Sequence, residues 1–454
     1  MNEEYKRFSV LLILSLLVVL LISCVPVAPA PPAAEEPAQA PAEMAEEPAA
    51  EEPEEMAEEP AVEEPEEMAE EVAIEMWHFA ANKDPVYNEE WIPAYAEVEP
   101  NVKITTNLIP KDAYNQTVAA ALIGGEAPAL IHGLPLGEPL EFWNNAQIVD
   151  LGPHMDDEWR SALYPSSIDY LTIDDKVLSM SFATNNVQVF YNKDRFEELG
   201  IEAPIETMAD MRAAVELLRE NGYGGALYWA QANDHAPTLF FNWGQQMYPD
   251  EFEAADRGDG RWDIPEFVDL MEEINSYSDI WMDGIASLSL DESVNLFASG
   301  EASIYIIGNW AINAIVNSEP AFEIDTFPVP ALNDQTEPAA LGSMAGTWMV
   351  SSQVPEAEQQ AAIDFLRWVT LNQQGGLVRA IGLCPAGEAG EEALSDAKYL
   401  AQTLCDNQAT ATPRDIFDRA ARDEMAGAIQ GMLNGQATAE EVMAAAQEAK
   451  ERAQ

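Results

Sequence analysis

Residues 73–79, Ala-Ile-Glu-Met-Trp-His-Phe, open the part of the chain that decides its fold class. Here Ile74 and Met76 alternate with Glu75, a period-two pattern that predicts a short strand at 73–77 with one buried face. Working outward along the chain, helix-like and strand-like segments alternate at 88–97, 102–107, 111–123 and 129–131. This β-α-β-α-β order predicts an α/β fold in which helices cover both faces of a parallel sheet.

The same alternation returns in the second half of the chain, where strand, helix and strand are predicted at 186–191, 193–199 and 302–307. Thr207 and Asp210 have the three-residue spacing of a capping box. Thr438 and Glu441 repeat that spacing near the C-terminus. Pro265 stands where the first turn of a helix tolerates proline. A second α/β unit is therefore predicted.

Charge restricts the classes of partner. The 454 residues include 81 Asp and Glu against 21 Lys and Arg, a formal charge of −60. Nucleic-acid binding requires a basic surface, and so does adsorption to anionic lipid headgroups. Both partner classes are therefore excluded. The residues from 73 onward hold all 11 Trp and are numerous enough for two domains, each with its own core.

The first 24 residues are predicted to be a lipoprotein signal peptide. Lys6 and Arg7 precede an apolar run at 8–22, which is shorter than the roughly 20 residues of a membrane-spanning helix. This is the pattern of a secretory signal. The run ends Leu-Ile-Ser-Cys, which resembles a bacterial lipobox with Cys24 as the lipidated residue. An ordinary signal peptide or short anchor with an incidental cysteine is the alternative.

Residues 25–72 are predicted to be a disordered tether. They contain 17 Glu and 10 Pro and offer almost nothing to bury. Proline stiffens such a chain and like charges extend it, so it would hold a folded body away from a membrane. A low-complexity segment without a specific role fits the composition equally well.

Two cysteines remain if Cys24 is lipidated. An even pair in an exported chain favours a disulfide between Cys384 and Cys405, and two unpaired buried thiols are the alternative. The four histidines are scattered without paired spacing, so we expect no metal site. Residues 256–263 only vaguely resemble a calcium loop, because the ligand spacing fails, and we expect a turn there.

Five segments in this order resemble the family 1 extracellular solute-binding proteins, the maltose-binding-like receptors of carbohydrate ABC importers. The resemblance covers roughly residues 73–450. The segments are the opening strand at 75–79, the Pro turn and strand at 97–104, Ala-Ala-Ala-Leu-Ile-Gly-Gly-Glu-Ala-Pro at 119–128, Phe-Tyr-Asn-Lys-Asp at 190–194, and the block from Phe-Ala-Ser-Gly-Glu-Ala at 297–302 to Gly-Asn-Trp at 308–310.

The resemblance implies a two-lobed periplasmic-binding-protein-like fold. Each lobe would be a mostly parallel sheet flanked by helices, and the ligand cleft would lie between the lobes, which close by a hinge motion. Crossings are expected near residues 183, 340 and 384. One lobe would then hold 73–183 and about 340–383, and the other 184–339 and about 384–454. A bridge at Cys384 would stiffen the third crossing.

Sugar chemistry selects the candidate binding residues. The C–H faces of a sugar pack on aromatic rings, and its hydroxyls need donors and acceptors that are already in place. Aromatic residues beside polar ones at predicted loop tips are therefore the candidates: Trp77, His78, His132, Asn186, Trp229, Asp234, Trp243, Asn309, Trp310 and Trp348. For each Trp, packing in the core is the alternative. Trp310 has the strongest support, because the Gly-x-Trp block of the family commonly faces the cleft.

We therefore expect a lipid-anchored receptor at the outer face of the cytoplasmic membrane or in the periplasm. It would be a monomer that captures a carbohydrate and hands it to the permease subunits of an ABC importer, with no cofactor and no catalysis. The alternatives are an exported carbohydrate-active enzyme and the same fold binding a polyamine or a glycerol phosphate.

Overall fold

A computed structural model of the protein describes residues 71–133, 136–231, 235–394, 401–406, 412–413 and 416–453. These residues belong to one compact unit, Glu67–Gln454. The lipidation candidate Cys24, residues 25–70 of the tether predicted at 25–72, and Asp234 lie outside the described residues. Val72, the last residue of that predicted tether, already belongs to the first strand. Within the described ranges, no helix combines the length and the apolar character needed to cross a membrane.

Strands and helices alternate along the chain. The strands are β1 (Val72–His78), β2 (Val102–Leu108), β3 (Leu130–Gly133), β4 (Thr172–Ile173), β5 (Lys176–Val177), β6 (Ala183–Asn192), β7 (Ala226–Tyr228), β8 (Ile304–Gly308), β9 (Ile324–Phe327), β10 (Leu341–Met344), β11 (Thr347–Val350), β12 (Cys384–Pro385) and β13 (Thr412–Pro413). The helices are α1 (Ile92–Val98), α2 (Lys111–Gly124), α3 (Gly137–Asn144), α4 (Asp157–Ser161), α5 (Pro165–Leu171), α6 (Lys193–Leu199), α7 (Met208–Glu220), α8 (Thr238–Met247), α9 (Pro249–Arg257), α10 (Pro265–Asn275), α11 (Leu290–Ala298), α12 (Ile312–Asn317), α13 (Glu356–Asn372), α14 (Gln374–Ile381), α15 (Ala401–Asp406), α16 (Arg419–Leu433) and α17 (Ala439–Ala453).

The first lobe is built on the sheet β11-β3-β1-β2. β1 pairs in parallel with β2 and β3, while β11 pairs antiparallel with β3. The β-α-β-α-β order predicted for this part of the chain is confirmed. A π-helical turn at Val86–Trp91 leads into α1, so the first helical segment begins two residues before the predicted residue 88.

The second lobe is built on the sheet β13-β10-β6-β8-β7, to which β9 and β12 are added through pairing with β6. β6 pairs antiparallel with β8, β9, β10 and β12. The expectation of mostly parallel sheets thus fits the first lobe, whereas the second sheet is mixed. The physical reason is that β6 brings the chain from one lobe into the other and runs against the strands that flank it.

The lobes are joined at three places along β6. β6 itself begins at Ala183 beside the first lobe and ends inside the second. The chain passes back between β10, in the second sheet, and β11, in the first. The third connection is β12, which pairs with Ala183 and Thr184. Cys384 of β12 forms a disulfide with Cys405 of α15, with a Cα–Cα distance of 5.5 Å.

Each lobe has its own apolar core. The first-lobe core is formed by residues of β1, β3, β11, α1, α2, α13 and α14. The second-lobe core is formed by residues of β6 to β8 and of the helices α7 to α11, α16 and α17. Burial of roughly 25 cal/mol per Å² of apolar surface drives both. The segments between the two separate cores connect the lobes.

The helix starts inferred from sequence are confirmed. The Thr207 hydroxyl accepts from the backbone N–H of Asp210 at 3.1 Å and begins α7. Thr438 and Glu441 form a reciprocal pair of backbone–side-chain hydrogen bonds at 3.2 and 2.8 Å before α17. Pro265 occupies the first position of α10. Each cap satisfies backbone donors that the first turn would otherwise leave unpaired.

The segment predicted as a turn at 256–263 does join two helices, α9 and α10. The Lys450 ammonium is buried there and donates to the carbonyls of Ala255 at 2.6 Å and Gly260 at 2.7 Å. A protein cation therefore holds this turn by its backbone carbonyls.

The disulfide generates a stability prediction. Cys384 and Cys405 are 21 residues apart, and closing a loop of that length stabilises the fold by about 3 kcal/mol in the chain-entropy description. We expect the double variant Cys384→Ser/Cys405→Ser to have a free energy of unfolding lower by about 3 kcal/mol. It should therefore unfold at a lower urea concentration. Equilibrium urea unfolding, with and without dithiothreitol, measures it. Reductant should shift the natural protein and leave the variant unmoved; equal midpoints for the two proteins would contradict the prediction.

Candidate ligand-binding site

The sheet of the first lobe brings His78, His132 and Trp348 together. Trp77 is opposite Ile131 in the parallel pair β1–β3, so His78 and His132 follow side by side at the same edge. Trp348 is opposite His132 in the antiparallel pair β3–β11. The Trp348 ring centroid lies 5.0 Å from that of His132 and 6.3 Å from that of His78. All three side chains are buried, and we call them the first-lobe cluster.

Aromatic neighbours extend the first-lobe cluster on both sides. Tyr87 lies 5.0 Å from His78 and 5.4 Å from Trp348, centroid to centroid. Phe79 lies 4.8 Å from His132. The Tyr114 hydroxyl lies 2.9 Å from the Trp77 carbonyl and 2.5 Å from the His132 carbonyl. Burial raises the pKa of Tyr114 well above its usual value, so the phenol stays protonated. Its hydroxyl is therefore a hydrogen-bond donor to these two carbonyls.

A buried lysine joins the first-lobe cluster. Lys83 follows β1 and is 8% exposed, and its ammonium donates to the carbonyl of Ala345. Gly346 has φ +70°, and a Cβ at that position would lie 2.5 Å from His132 Nε2 and 3.0 Å from Lys83 Nζ. Glycine is therefore required twice, for the left-handed backbone and for the space that the two nitrogens occupy.

Burial sets the protonation states. It lowers the pKa of Lys83 to about 7, and Lys111 adds to this effect. Burial, together with Lys83, His78 and Lys111, lowers the pKa of His132 well below its usual value. Burial also lowers the pKa of His78, opposed by Asp84, whose Oδ1 lies 3.1 Å from His78 Nε2. His132 is thus a neutral imidazole at pH 7.

The second lobe contributes Trp229, His235 and Trp310, which we call the second-lobe cluster. β7 and β8 are parallel neighbours, so Trp229 and Trp310, which follow them, emerge at one edge. The His235 ring lies 5.6 Å from Trp229 and 6.0 Å from Trp310. Trp229 and Trp310 are half-buried, and Trp310 packs against the cores of both lobes. A Cβ at Gly308 would lie 1.8 Å from the Trp310 ring, so the ring folds back over a glycine.

Asn186 and Asn309 tie together the segments that connect the lobes. The Asn309 side chain accepts from the Asn186 backbone N–H at 3.2 Å and donates to the Gly382 carbonyl at 3.2 Å. The Asn186 amide accepts from the Gln188 amide at 2.6 Å. Both asparagines are fully buried. Their bonds tie β6 to the segment before β12, which favours a structural role over the predicted contact with a ligand.

Trp243 occupies the core of the second lobe. It is fully buried on α8, and its indole N–H donates to the Pro330 carbonyl at 3.2 Å. The expectation that Trp243 offers a face to a ligand does not fit this placement, because α8 turns the ring inward among other apolar side chains. Trp77 is half-buried and packs against the first-lobe residues around α2 and β3, which is the core alternative given for it above.

Residues from the two lobes also meet at a rim. Arg419 lies at the start of α16, and its guanidinium contacts two carboxylates of α3. Its Nη2 lies 3.2 Å from Glu138 Oε1, and its Nη1 lies 3.0 Å from Glu141 Oε2. A cavity of about 140 Å³ lies beside this ion pair, and His132, Tyr114 and Phe142 are among its lining residues. We call the contacts of Arg419 with α3 the rim clasp.

Sequence reasoning did not select Lys83, Tyr87 or His235. The sequence did offer a signal for Lys83, because the chain has only 8 Lys against 81 Asp and Glu, and this lysine comes shortly after the first predicted strand. Tyr87 and His235 carried none, because their positions depend on how a π-helical turn and a loop pack against distant strands.

The lowered pKa of Lys83 gives a pH-dependent prediction. In the unfolded chain this lysine titrates near 10.4, so between about pH 7 and pH 10 the unfolded state holds a proton that the folded state lacks. Stability therefore rises with pH across that window. Lys83→Met should remove this rise and increase the free energy of unfolding at pH 7 by about 1–3 kcal/mol. Urea unfolding between pH 6.5 and 10 measures both effects.

Lys103→Met is the matched control, because Lys103 is exposed and its ammonium donates only locally, to the Pro100 carbonyl at 2.8 Å. Its stability curve should run parallel to that of the natural protein. The same pH slope in Lys83→Met and the natural protein would contradict the assigned burial of the ammonium.

Sequence comparison relates the chain to a family of binding proteins. Residues 80–376 match the family described as bacterial extracellular solute-binding protein. A putative binding protein of Brucella abortus is 21% identical over 256 residues, which are 56% of this chain and 61% of that protein. A multiple sugar-binding protein of Streptococcus mutans is 21% identical over 264 residues, which are 53% of this chain and 58% of that protein. The chain thus spans about three fifths of the length of these curated relatives.

Solved structures agree with the two-lobed architecture. A chitin oligosaccharide binding protein superposes with a TM-score of 0.73 at 17% identity, covering 84% of this chain and 99% of that chain. The maltose-bound MalE3 protein of T. maritima superposes with a TM-score of 0.72 at 17% identity, covering 84% and 100%. At such identities the likeness concerns the fold alone. The family match covers residues 80–376, which is well over half of this chain. The chain therefore belongs to the bacterial extracellular solute-binding protein family.

Proposed function

We propose that the protein is an extracytoplasmic substrate-binding lipoprotein that captures a sugar or oligosaccharide between its lobes and delivers it to an ABC importer. The observation that carries the proposal is the pair of aromatic and imidazole clusters at strand ends of both lobes: His78, His132 and Trp348 in the first, Trp229, His235 and Trp310 in the second.

These clusters suit a saccharide. Indole and phenyl rings pack on the C–H faces of a pyranose, while N–H groups bind its hydroxyls. The indole N–H of Trp229 is buried, and neither it nor the two ring nitrogens of His132 have a hydrogen-bond partner among the described residues. Buried polar atoms normally have partners, so these groups are suited to receive the hydroxyls of a ligand.

Closure of the lobes is supported by the hinge and by the rim clasp. The three connections beside β6 are short, and bending there would move each core as a rigid body. Arg419 would bring α16 to α3 in the closed form, and its distance from Glu138 and Glu141 would grow on opening. A ligand that contacts both clusters would favour the closed form because it binds that form more tightly.

Delivery and anchoring rest on the sequence and the relatives. The lipobox at Cys24 and the Pro- and Glu-rich tether would hold a monomeric body at the outer face of the cytoplasmic membrane or in the periplasm. The similarity to a multiple sugar-binding protein supports a carbohydrate as the ligand, and membership of the extracellular solute-binding family supports ABC permease subunits as the partner. On this proposal the protein returns its ligand chemically unchanged, with no catalysis and no cofactor.

A ligand screen tests the proposal. The full chain is heated with mono- and oligosaccharides, a polyamine and glycerol phosphate, and the ligand is recovered and analysed. A ligand at about 100 times its Kd should stabilise the fold by about 2.7 kcal/mol, and we expect this from a saccharide that is recovered intact. Hydrolysis of the sugar would support an exported carbohydrate-active enzyme instead. A response only to polyamine or glycerol phosphate would contradict the carbohydrate assignment.

The rim clasp gives a second prediction. Arg419→Gln should weaken affinity for the saccharide found in that screen by roughly three- to tenfold, because the closed form loses an ion pair that joins the lobes. Small-angle scattering should also show a larger radius of gyration for the ligand-free variant.

Arg452→Gln is the control, since Arg452 pairs with Glu424 and Glu448 within one lobe. It should alter neither the affinity nor the radius of gyration. An unchanged affinity in Arg419→Gln would show that the clasp does not contribute to closure.

A further inference from the structure

Two basic side chains converge on one point of the first-lobe cluster. The position that a Cβ atom would take at Gly346 lies 2.5 Å from His132 Nε2 and 3.0 Å from Lys83 Nζ. Lys83 extends from the loop after β1, His132 comes from the end of β3, and Gly346 lies in the connection from β10 to β11. Three separate elements thus place an ammonium and an imidazole side by side.

Their hydrogen-bonding capacity is largely unused. An ammonium has three donors, and within the described residues Lys83 donates one hydrogen bond, to the Ala345 carbonyl. His132 is 1% exposed, and neither of its ring nitrogens has a partner there. The cavity of about 140 Å³ reaches His132. His132 lines this cavity, and Lys83 Nζ lies beside the same Gly346 as His132 Nε2, so the unused donors of the pair are suited to acceptor oxygens of a ligand.

The charged groups that shift the pKa values of Lys83 and His132 are all basic. Lys111 lies close enough to lower the pKa of both groups, and His78 also faces His132. Asp84 is paired with His78, and Glu138 and Glu141, which line the cavity together with His132, are paired with Arg419. None of the described carboxylates forms an ion pair with Lys83. In a chain of charge −60, a buried lysine without a carboxylate partner is an exception that a stability argument does not explain.

We infer that the ligand carries a carboxylate, of the kind that a uronic acid unit supplies, and that Lys83 and His132 bind its two oxygens; this inference rests on the proposed function. One ammonium and one N–H of a neutral imidazole match two carboxylate oxygens and one negative charge. A phosphate ester, with up to two charges and three free oxygens, exceeds what one ammonium and one neutral imidazole match, and the arginine that lines the cavity, Arg419, is paired with Glu138 and Glu141.

The inference has a proton signature. In the free protein the pKa of Lys83 is about 7, and a bound carboxylate beside the ammonium would raise it. Binding at and above pH 7 should therefore take up a proton, and affinity should fall as the pH rises. Tyr114, whose hydroxyl contacts the His132 carbonyl, has a raised pKa and stays protonated, and His132 itself stays neutral across this range.

Calorimetric titration of the full chain tests the inference with matched ligands. Glucuronate and galacturonate, free and as terminal units of disaccharides, are compared with the neutral sugars that carry CH₂OH in place of the carboxylate. We expect one acid to bind at least about tenfold more tightly than its neutral match at pH 6.5. At pH 8, titrations in two buffers of different ionisation enthalpy should show proton uptake.

Variants separate the role of Lys83 from general charge. Lys83→Met should abolish the preference for the acid, whereas Lys103→Met, which removes an exposed charge, should keep it. The proton-uptake measurement uses the natural protein and so does not depend on how the variants fold. An acid preference that survives in Lys83→Met would overturn the assignment of this lysine.

The outcomes also separate this inference from the proposed function. A neutral sugar that binds as tightly as its acid match would overturn the carboxylate and leave the sugar-receptor proposal standing. Tighter binding of glucose 6-phosphate or inorganic phosphate would overturn the carboxylate in favour of a phosphate. Failure of every saccharide to bind would contradict both proposals.

Discussion

The rest of the structure depends on β6, the strand that both lobes share. It is buried along almost its whole length and pairs with β8, β9, β10 and β12. A buried strand must satisfy every backbone group, and β6 does so only if segments from distant parts of the chain meet on it. Its buried side chains continue the constraint, since Asn186 bonds Gln188 and the backbone of β6 bonds Asn309. The same strand therefore fixes where the lobes join.

The site follows from that geometry. In each lobe parallel strands end at one edge, and aromatic and imidazole side chains lie at those ends. The first-lobe cluster gains Trp348 because β11 pairs antiparallel with β3 directly after the chain returns from the second lobe. Trp310 packs against both cores, so its ring lies where the two lobes meet. The connections between the lobes and the candidate site are thus built from the same few segments.

Much of the local structure was predictable. The alternation in residues 73–131 predicted the first sheet, and the caps at Thr207 and Thr438 are local hydrogen bonds that a sequence pattern encodes directly. The antiparallel pairing around β6 was not predictable, because register between strands more than a hundred residues apart is set by packing and not by local pattern. Trp243 illustrates the same limit: its polar neighbours suggested a ligand contact, while the direction in which α8 faces places the ring in the core.

By itself the sequence determined the α/β class, the resemblance to a family of binding proteins, the acidic character and the group of histidines and tryptophans from which a site could be drawn. These follow from composition, periodicity and short motifs, which act over a few residues. Only the tertiary structure decided which of those residues meet. It placed Lys83 and His132 together at Gly346, and Asn186 and Asn309 among the segments that connect the lobes. The reason is physical: a binding site is a set of distances between segments far apart in the chain, and those distances exist only once two separate cores have packed around one shared strand.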